Sequence, residues 1–524
     1  MIQFLILSCS DVLEEEVFDK VTAQNFFQNE SDAIVGVIGV YDGLQDFNYW
    51  YRQFMLHEAL PGSAAHFWPQ HFNTLVYGDN VFAHFVMWEQ SYKIISGANS
   101  IIDVLSKSSL DENKKEKLIA EVRFIRAMIY FNMARMYGNI PLVKSTPSNI
   151  SDAIAPNSDS DESIFESSQF LKQVDREEIY DYIVEELKAA EVDLPIADFS
   201  NGVESGRAKK GSATALLAKV YLTQAGVQFN PDNGNLDQGD ASKWTMAAEK
   251  AQELINDGIY KLEDNYDDVF KNSNDNNQET IFSIQYLESA VAGVTGEGGH
   301  TVSRMGIRGS NITPFASKQI FANKTFFDQW VAANGISDPR FETTFLTSYV
   351  DNNGNTINYG QGNFIRPHIW KFVSDDNNHE ISAQNGNDYG DNPIYLRYAD
   401  VLLIHSESLN ESGSSPDGNT IYGINKVRER ANQPLIELPI SKEDLREAIW
   451  SERKWELSYE GHYYYDCQRT GRLLEEIELN WYDNSNGGTG RQIPFSAVTS
   501  KFYLMPIHFN ARSANPSLKQ NFGW

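Results

Sequence analysis

The sequence predicts a mainly α-helical protein in which tetratricopeptide-like helical pairs form a scaffold, with an irregular, loop-rich face carrying short β-strands. Three observations carry that prediction. Helical hydrophobic periodicity recurs in stretches that can be matched as neighbours. The segments between them, above all 264–393, are rich in Gly, Asn and Asp and hold only short β-like runs. And 524 residues, 41% hydrophobic and 12% aromatic, are enough chain to bury a large core.

The elements follow in order. The chain opens on a short apolar run, Ile2 to Leu7, then Ser8, Cys9 and an acidic stretch from Asp11 to Glu16. This pattern resembles a bacterial lipobox with Cys9 as the acylated residue. No Lys or Arg precedes the run and it is shorter than an ordinary signal peptide, so this reading expects a start upstream of Met1. The alternative is a buried N-terminal strand. Val86 to Leu105 and Lys117 to Tyr137 form the first candidate pair; the second member is apolar on nearly every face and stops at Gly138, with Pro141 just beyond. Asp175 and Glu178 have the spacing of a capping box and open a helix with one apolar stripe, Ile179, Ile183, Leu187, Ala190 and Leu194. The alanine-rich stretch 211–226 permits close approach of a partner, and Trp244, Ala247, Ala248, Ala251, Leu254 and Ile255 supply its stripe, ending at Gly258. A Gly/Asn/Asp segment from Phe229 to Asp240 stands where a tetratricopeptide pair would have a tight turn. Tyr395 to Asn410 and Ile421 to Ala431 make a further pair around Gly413 and Pro416. Such pairs must stack to cover their apolar faces, which assigns the helices to scaffold and leaves function to the long loops.

Charge excludes some functions. Forty-three basic residues against 72 acidic give a formal charge of -29, so a phosphate backbone is repelled and nucleic acid is not an expected partner. Two cysteines, Cys9 and Cys467, cannot form a disulfide framework. After the leader no apolar run approaches the length of a membrane span.

Four stretches together resemble the SusD/RagB family. They are Glu121-Val-Arg-Phe-Ile-Arg-Ala-Met-Ile-Tyr-Phe-Asn-Met-Ala-Arg-Met-Tyr-Gly-Asn-Ile-Pro-Leu-Val143; the pair Tyr395-Leu-Arg-Tyr-Ala-Asp-Val-Leu-Leu-Ile-His-Ser-Glu407 and Ile424-Asn-Lys-Val-Arg-Glu-Arg-Ala431; Ile449-Trp-Ser-Glu-Arg-Lys-Trp-Glu-Leu-Ser-Tyr-Glu-Gly461; and Pro506 with Asn515-Pro-Ser-Leu-Lys-Gln-Asn521. Departures lie at His462, Cys467 and the ending Phe522-Gly523-Trp524. The resemblance implies a cell-surface lipoprotein, lipid-anchored in the outer membrane, that binds an oligosaccharide or polysaccharide without cleaving it and delivers it to a SusC-like TonB-dependent transporter. It implies no cofactor. A subunit that only closes the transporter as a lid, with no sugar affinity, is the alternative. On this reading residues 1–9 are leader and 10–524 one SusD-like domain, with scaffold at about 86–258 and 395–460 and ligand-facing loops at about 40–80 and 264–393.

Glu452, Glu456 and Glu460 recur every four residues, and paired carboxylates serve glycoside hydrolysis. Neighbours on one helix cannot face each other across a sugar, however, and with Arg453 and Lys454 beside them they read as a salt-bridged helix surface. His57, His66, His71 and His84 lack a metal-binding spacing, so no metal site is expected. The acidic loops 264–268 and 272–279 lack an EF-hand order and read as solvated turns. Gly296, Gly298 and Gly299 are not spaced as a phosphate cradle.

Sugar binding needs flat apolar faces with polar groups at the rim. Phe47-Asn-Tyr-Trp-Tyr51 and His66-Phe-Trp-Pro69 flank turn residues, which makes Tyr49, Trp50, His66 and above all Trp68 candidate contacts, with core packing the competing role of Tyr49 and Trp50. The Gly-rich insertion after Tyr286 adds His300, Arg304 and Arg308, whose guanidinium forks suit an acidic sugar if they face the ligand.

Overall fold

The computed structural model describes residues 29–47, 49–66, 75–146, 172–199, 206–289, 296–307, 310, 313, 320–361, 364, 367–373, 388–413, 415–481 and 498–524. Cys9, Trp68 and Arg308 lie outside the described residues.

Helices dominate. In chain order they include α1 Glu30–Gln45, α2 Trp50–Ala59, α3 Phe82–Lys107, α4 Glu112–Tyr137, α5 Arg176–Asp193, α6 Lys210–Ala225, α7 Ser242–Asp257, α8 Thr301–Met305, α9 Lys324–Asn334, α10 Arg340–Thr344, α11 Tyr398–Ser412, α12 Tyr422–Arg430, α13 Lys442–Glu456 and α14 Tyr463–Arg469. The expected pairs form: α3 packs on α4, α6 on α7, and α11 on α12. They join into a continuous stack, because α5 sits between α4 and α6, and α11 covers α7 before meeting α13.

The sequence explains how closely these helices approach. α4 is buried along most of its length because α1, α3 and α5 all lie against it. Its polar residues are matched rather than expelled: Arg126 donates from Nε to Glu186 of α5 (2.9 Å) and from Nη1 to Asn99 of α3 (2.5 Å). Gly138 ends α4 at φ 71°, a backbone angle that side chains disfavour. Gly423 of α12 lies on the Leu402 carbonyl of α11, where a Cβ would stand 2.0 Å from the oxygen. The segment 229–240 is compact, since Gln228–Phe229 and Leu236–Asp237 pair as an antiparallel hairpin.

Several local expectations change. Asp175 caps α5 by position only, with no side-chain bond to the backbone, so the capping box does not form. Phe47 to Tyr51 is not a loop throughout: the Asp46 carbonyl accepts the Tyr49 and Trp50 N–H groups (2.9 and 3.1 Å) and starts α2 at Trp50. The stretch 264–393 carries α9, which buries Phe326, Phe327 and Trp330. The described strands form two-stranded antiparallel ribbons. Two matter for placement. Ala64–His66 pairs with Ile320–Ala322 and joins the two long loop regions to each other, and Thr280–Ser283 pairs with Ile394–Arg397, beside the start of α11.

Glu452, Glu456 and Glu460 are interior, not a helix surface, and Glu460 lies beyond the end of α13. Five cations, Arg340, Lys371, Arg397, Arg428 and Arg430, face five carboxylates, Glu279, Asp338, Glu452, Glu456 and Glu460. Every N–H of Arg397 has a partner: Nε reaches Glu460 (2.6 Å), Nη1 reaches Glu279 (2.8 Å) and Glu456 (2.6 Å), and Nη2 reaches Glu460 and the Glu456 carbonyl (both 2.8 Å). Burial alone would raise the Glu456 carboxyl, yet Arg430, Arg397 and Arg340 hold it well below the usual carboxylate range.

Candidate functional site

The two loop regions singled out in the sequence meet. The turn at Asp46 presents Phe47, which stacks on Tyr51 with centroids 4.8 Å apart and planes inclined by 14°. The His300 ring lies 4.6 Å from Phe47. The Arg304 guanidinium sits 5.7 Å from the Phe47 centroid and 5.9 Å from that of Tyr51. Arg52, at the first turn of α2, lies 5.4 Å from Phe47 and 5.4 Å from Phe82, the first residue of α3. Phe82 is the open member, 61% exposed. One turn further along α3, Phe85 meets His508 at 5.0 Å, and the half-exposed Phe509 lies 5.6 Å beyond. The arrangement is an aromatic ledge set with cationic groups.

Backbone contacts hold its two halves in register. Gln45 donates to the Gln285 carbonyl (2.6 Å), and the Tyr286 hydroxyl donates to the Gln45 carbonyl (3.3 Å). Leu287 and Glu297 exchange both backbone bonds (3.1 and 2.8 Å), Gly299 donates to the Tyr389 carbonyl (2.7 Å), and the Asp388 carboxylate accepts the Ser289 and Gly298 N–H groups (2.8 and 3.0 Å). The glycines serve this approach: a Cβ on Gly298 would fall 2.4 Å from the Asp388 carbonyl carbon. Buried Val302 and Met305 anchor α8 beneath, while the His368 ring bonds the Met305 carbonyl (3.0 Å), leaving His300 and Arg304 half-buried at the ledge.

The electrostatics are one-sided. Burial and then Arg304 lower the His300 pKa, with Asp46 opposing, so the imidazole is neutral at pH 7. Burial pushes the Tyr51 hydroxyl up to about 12, although Arg304 and Arg52 pull it down. His300 Nδ1 and Arg304 Nε are both shielded from solvent, and neither has a hydrogen-bond partner among the described residues.

The remaining candidates fall elsewhere. Tyr49 is fully buried, its hydroxyl accepting from Asn132 (3.1 Å), and has no face to offer a ligand. Trp50 is 9% exposed and packs edge-on against Tyr395 at 6.2 Å, which makes it core as well. The His66 backbone ends the strand opposite Ile320, two residues before Trp68. Arg52 and Phe82 were missed by sequence reasoning. Nothing in the sequence links residue 82 to residue 52, and exposure of an aromatic at a helix start leaves no periodic signature.

The carboxylates considered for hydrolysis are all engaged in the buried ion network. The described residues contain no group of three or more His, Cys, Asp or Glu side chains arranged to hold a metal.

Comparison with known proteins gives a consistent picture. The SusD family profile matches residues 161–524, and a second profile, described as starch-binding associating with outer membrane, matches residues 39–222. The SusD-like protein P2 of Formosa agariphila is 28% identical over 98% of this chain and 96% of its own length. Among solved structures, a SusD homolog from Bacteroides thetaiotaomicron superposes with a TM-score of 0.78 at 23% identity, covering 96% of this chain and 98% of that one. A laminarin-binding SusD-like protein does so with a TM-score of 0.72 at 23% identity, covering 95% and 100%.

Proposed function

This chain belongs to the SusD family of non-catalytic binding proteins, and from that membership we propose that it captures glycan on the aromatic ledge and passes it to a TonB-dependent transporter in the outer membrane. The observation that carries the reading is the convergence of the 47–52 turn and the 296–305 insertion on one ledge that leaves Phe82 open. A pyranose ring presents CH faces to an aromatic and hydroxyls to a polar rim, and the ledge offers both kinds of partner. Trp68 and Arg308, which lie outside the described residues, remain candidate contacts on the sequence alone. Starch appears in the description of the second profile and laminarin in that of a structural neighbour, which supports a glycan as ligand. Acylation of Cys9 would tether the protein to the membrane surface; no helix among the described residues is long and apolar enough to cross one.

A shallow platform of a few aromatics supports dissociation constants of roughly micromolar to millimolar, about -8 to -4 kcal/mol. Calorimetric titration of the chain into neutral and acidic polysaccharides, with Phe82→Ala and Trp68→Ala alongside, tests the assignment. We expect each variant to weaken binding by about tenfold, the equivalent of about 1.4 kcal/mol. Silence across the panel from a folded protein that still co-purifies with its transporter would replace glycan capture by the lid reading.

A further inference from the structure

We propose that the ledge selects glycans carrying anionic substituents, a ring carboxylate or a sulfate ester, and that Arg304 is the residue that receives the anion. This rests on the glycan-binding reading above and specifies its substrate class.

The first observation concerns Arg304 itself. Its guanidinium lies against Phe47 and Tyr51, and among the described residues no carboxylate pairs with it. Its Nε is shielded from water and has no acceptor among the described residues. Most buried arginines elsewhere are treated differently: Arg340, Arg397, Arg453 and Arg469 hold carboxylates, whereas Arg135, between the Phe131 and Tyr465 rings, bonds the Asn132 amide. A shielded donor without a partner costs about 1–3 kcal/mol, so no internal acceptor among the described residues holds the Arg304 Nε in place. A guanidinium lying on aromatic rings can still turn a two-pronged edge outward, the shape that matches a carboxylate or sulfate.

The second observation is the company Arg304 keeps. Arg52 brings another positive charge to the same Phe47 ring, and the two guanidinium groups repel each other. His300 adds a ring nitrogen without a partner among the described residues. Asp46 is the carboxylate that acts on Arg52 and His300. The two guanidinium groups only donate, so they serve the oxygen of a neutral sugar hydroxyl but not its O–H. Carboxylate and sulfate oxygens are pure acceptors and fit such a lining. The protein as a whole carries a formal charge of -29, so this local excess of positive charge runs against its general character. At physiological salt, screening over about 8 Å confines the unfavourable far field and leaves the short contacts in force.

The test uses matched polymers with the full chain at physiological salt. Polygalacturonate is compared with its carboxyl-reduced form, and carrageenan with its desulfated form, by calorimetry. We expect at least one charged polymer to bind about tenfold or more tightly than its neutral counterpart, about 1.4 kcal/mol. Preference within the first pair identifies a carboxylate, within the second a sulfate. Arg304→Gln should narrow the preference to less than about threefold, while Arg304→Lys, which keeps the charge without the fork, should retain part of it. Thermal melting of each variant verifies its fold, and the wild-type comparison stands independently of both. Equal or tighter binding of the neutral polymers overturns this inference while leaving glycan capture intact. An unaltered preference in folded Arg304→Gln overturns the role of Arg304. Failure to bind any charged or neutral polysaccharide overturns the glycan reading on which the inference rests.

Discussion

Two sets of arginines divide this molecule. Beneath α13, Arg340 and Arg397 are fully buried and each N–H meets an acceptor, most of them carboxylate oxygens. At the ledge, Arg304 is half-buried against two aromatic rings, with Nε unpartnered among the described residues and another guanidinium nearby. The same side chain therefore has two uses. Where its charge is neutralised internally it ties distant segments together, and at the ledge it is the group we propose for a ligand.

The strongest way to break that comparison is to remove one partner from the buried set. Arg397→Met leaves Glu279, Glu456 and Glu460 short of a countercharge in the interior. We expect a loss of about 3–5 kcal/mol, because an unpaired buried charge costs more than the intact pair contributes. The urea midpoint and the yield of soluble protein would register it. A variant as stable as the parent would show that the carboxylates protonate or rehydrate at little cost, and the contrast with the ledge would lose its energetic basis.

This network also shows how far a sequence can be read. The rhythm of Glu452, Glu456 and Glu460 is visible, but their partners are not. Arg340 lies 112 residues before Glu452, and Glu279 lies 118 residues before Arg397. Charge type is a local property and burial is not, so the glutamates read as surface. The helical pairs were legible because each carries its own periodicity and stop signals, as Gly138 does for α4. α2 was obscured by the turn-like Asp46 and Pro61-Gly62 around it, and α9 by its short span within Gly- and Asn-rich sequence. At the ledge, His300 and Arg304 stood out in a glycine-rich insertion, whereas Arg52 and Phe82 depend on tertiary packing of α2 against the start of α3.

A buried titratable group without a countercharge sharpens the comparison at intermediate strength. His405 of α11 is enclosed, bonded through Nε2 to the Gln252 side-chain oxygen (2.8 Å), and burial pushes its pKa down to about 4. An unfolded histidine titrates near about 6.5. Because the folded value is the lower one, the stabilisation is complete above that pH and is lost as pH falls toward and through 4. The slope is at most about 1.4 kcal/mol per pH unit for one proton. Glu58, raised by burial to about 7, acts in the opposite sense between about 4.5 and 7, so the parent profile alone does not isolate the imidazole. His405→Gln should lose less stability than the parent between pH 6.5 and pH 4, measured by denaturant midpoints at each pH. Parallel profiles would place the proton uptake on another group.

The smallest effect is expected where function is assigned. Arg304→Gln removes a guanidinium that repels Arg52 and leaves Nε unsatisfied, while giving up its contact with the Phe47 and Tyr51 rings. Those contributions oppose each other, and the net change in stability should stay within about 0.5 kcal/mol, the range of substitutions that break no internal pairing. Residues held for a ligand commonly contribute little to the fold, or oppose it slightly. Thermal melting of the unliganded variant against the parent checks this. A loss above about 2 kcal/mol would mean that Arg304 organises the 296–305 insertion, as Arg397 organises the segments around α13, and the division between the two arginine sets would then be one of exposure alone.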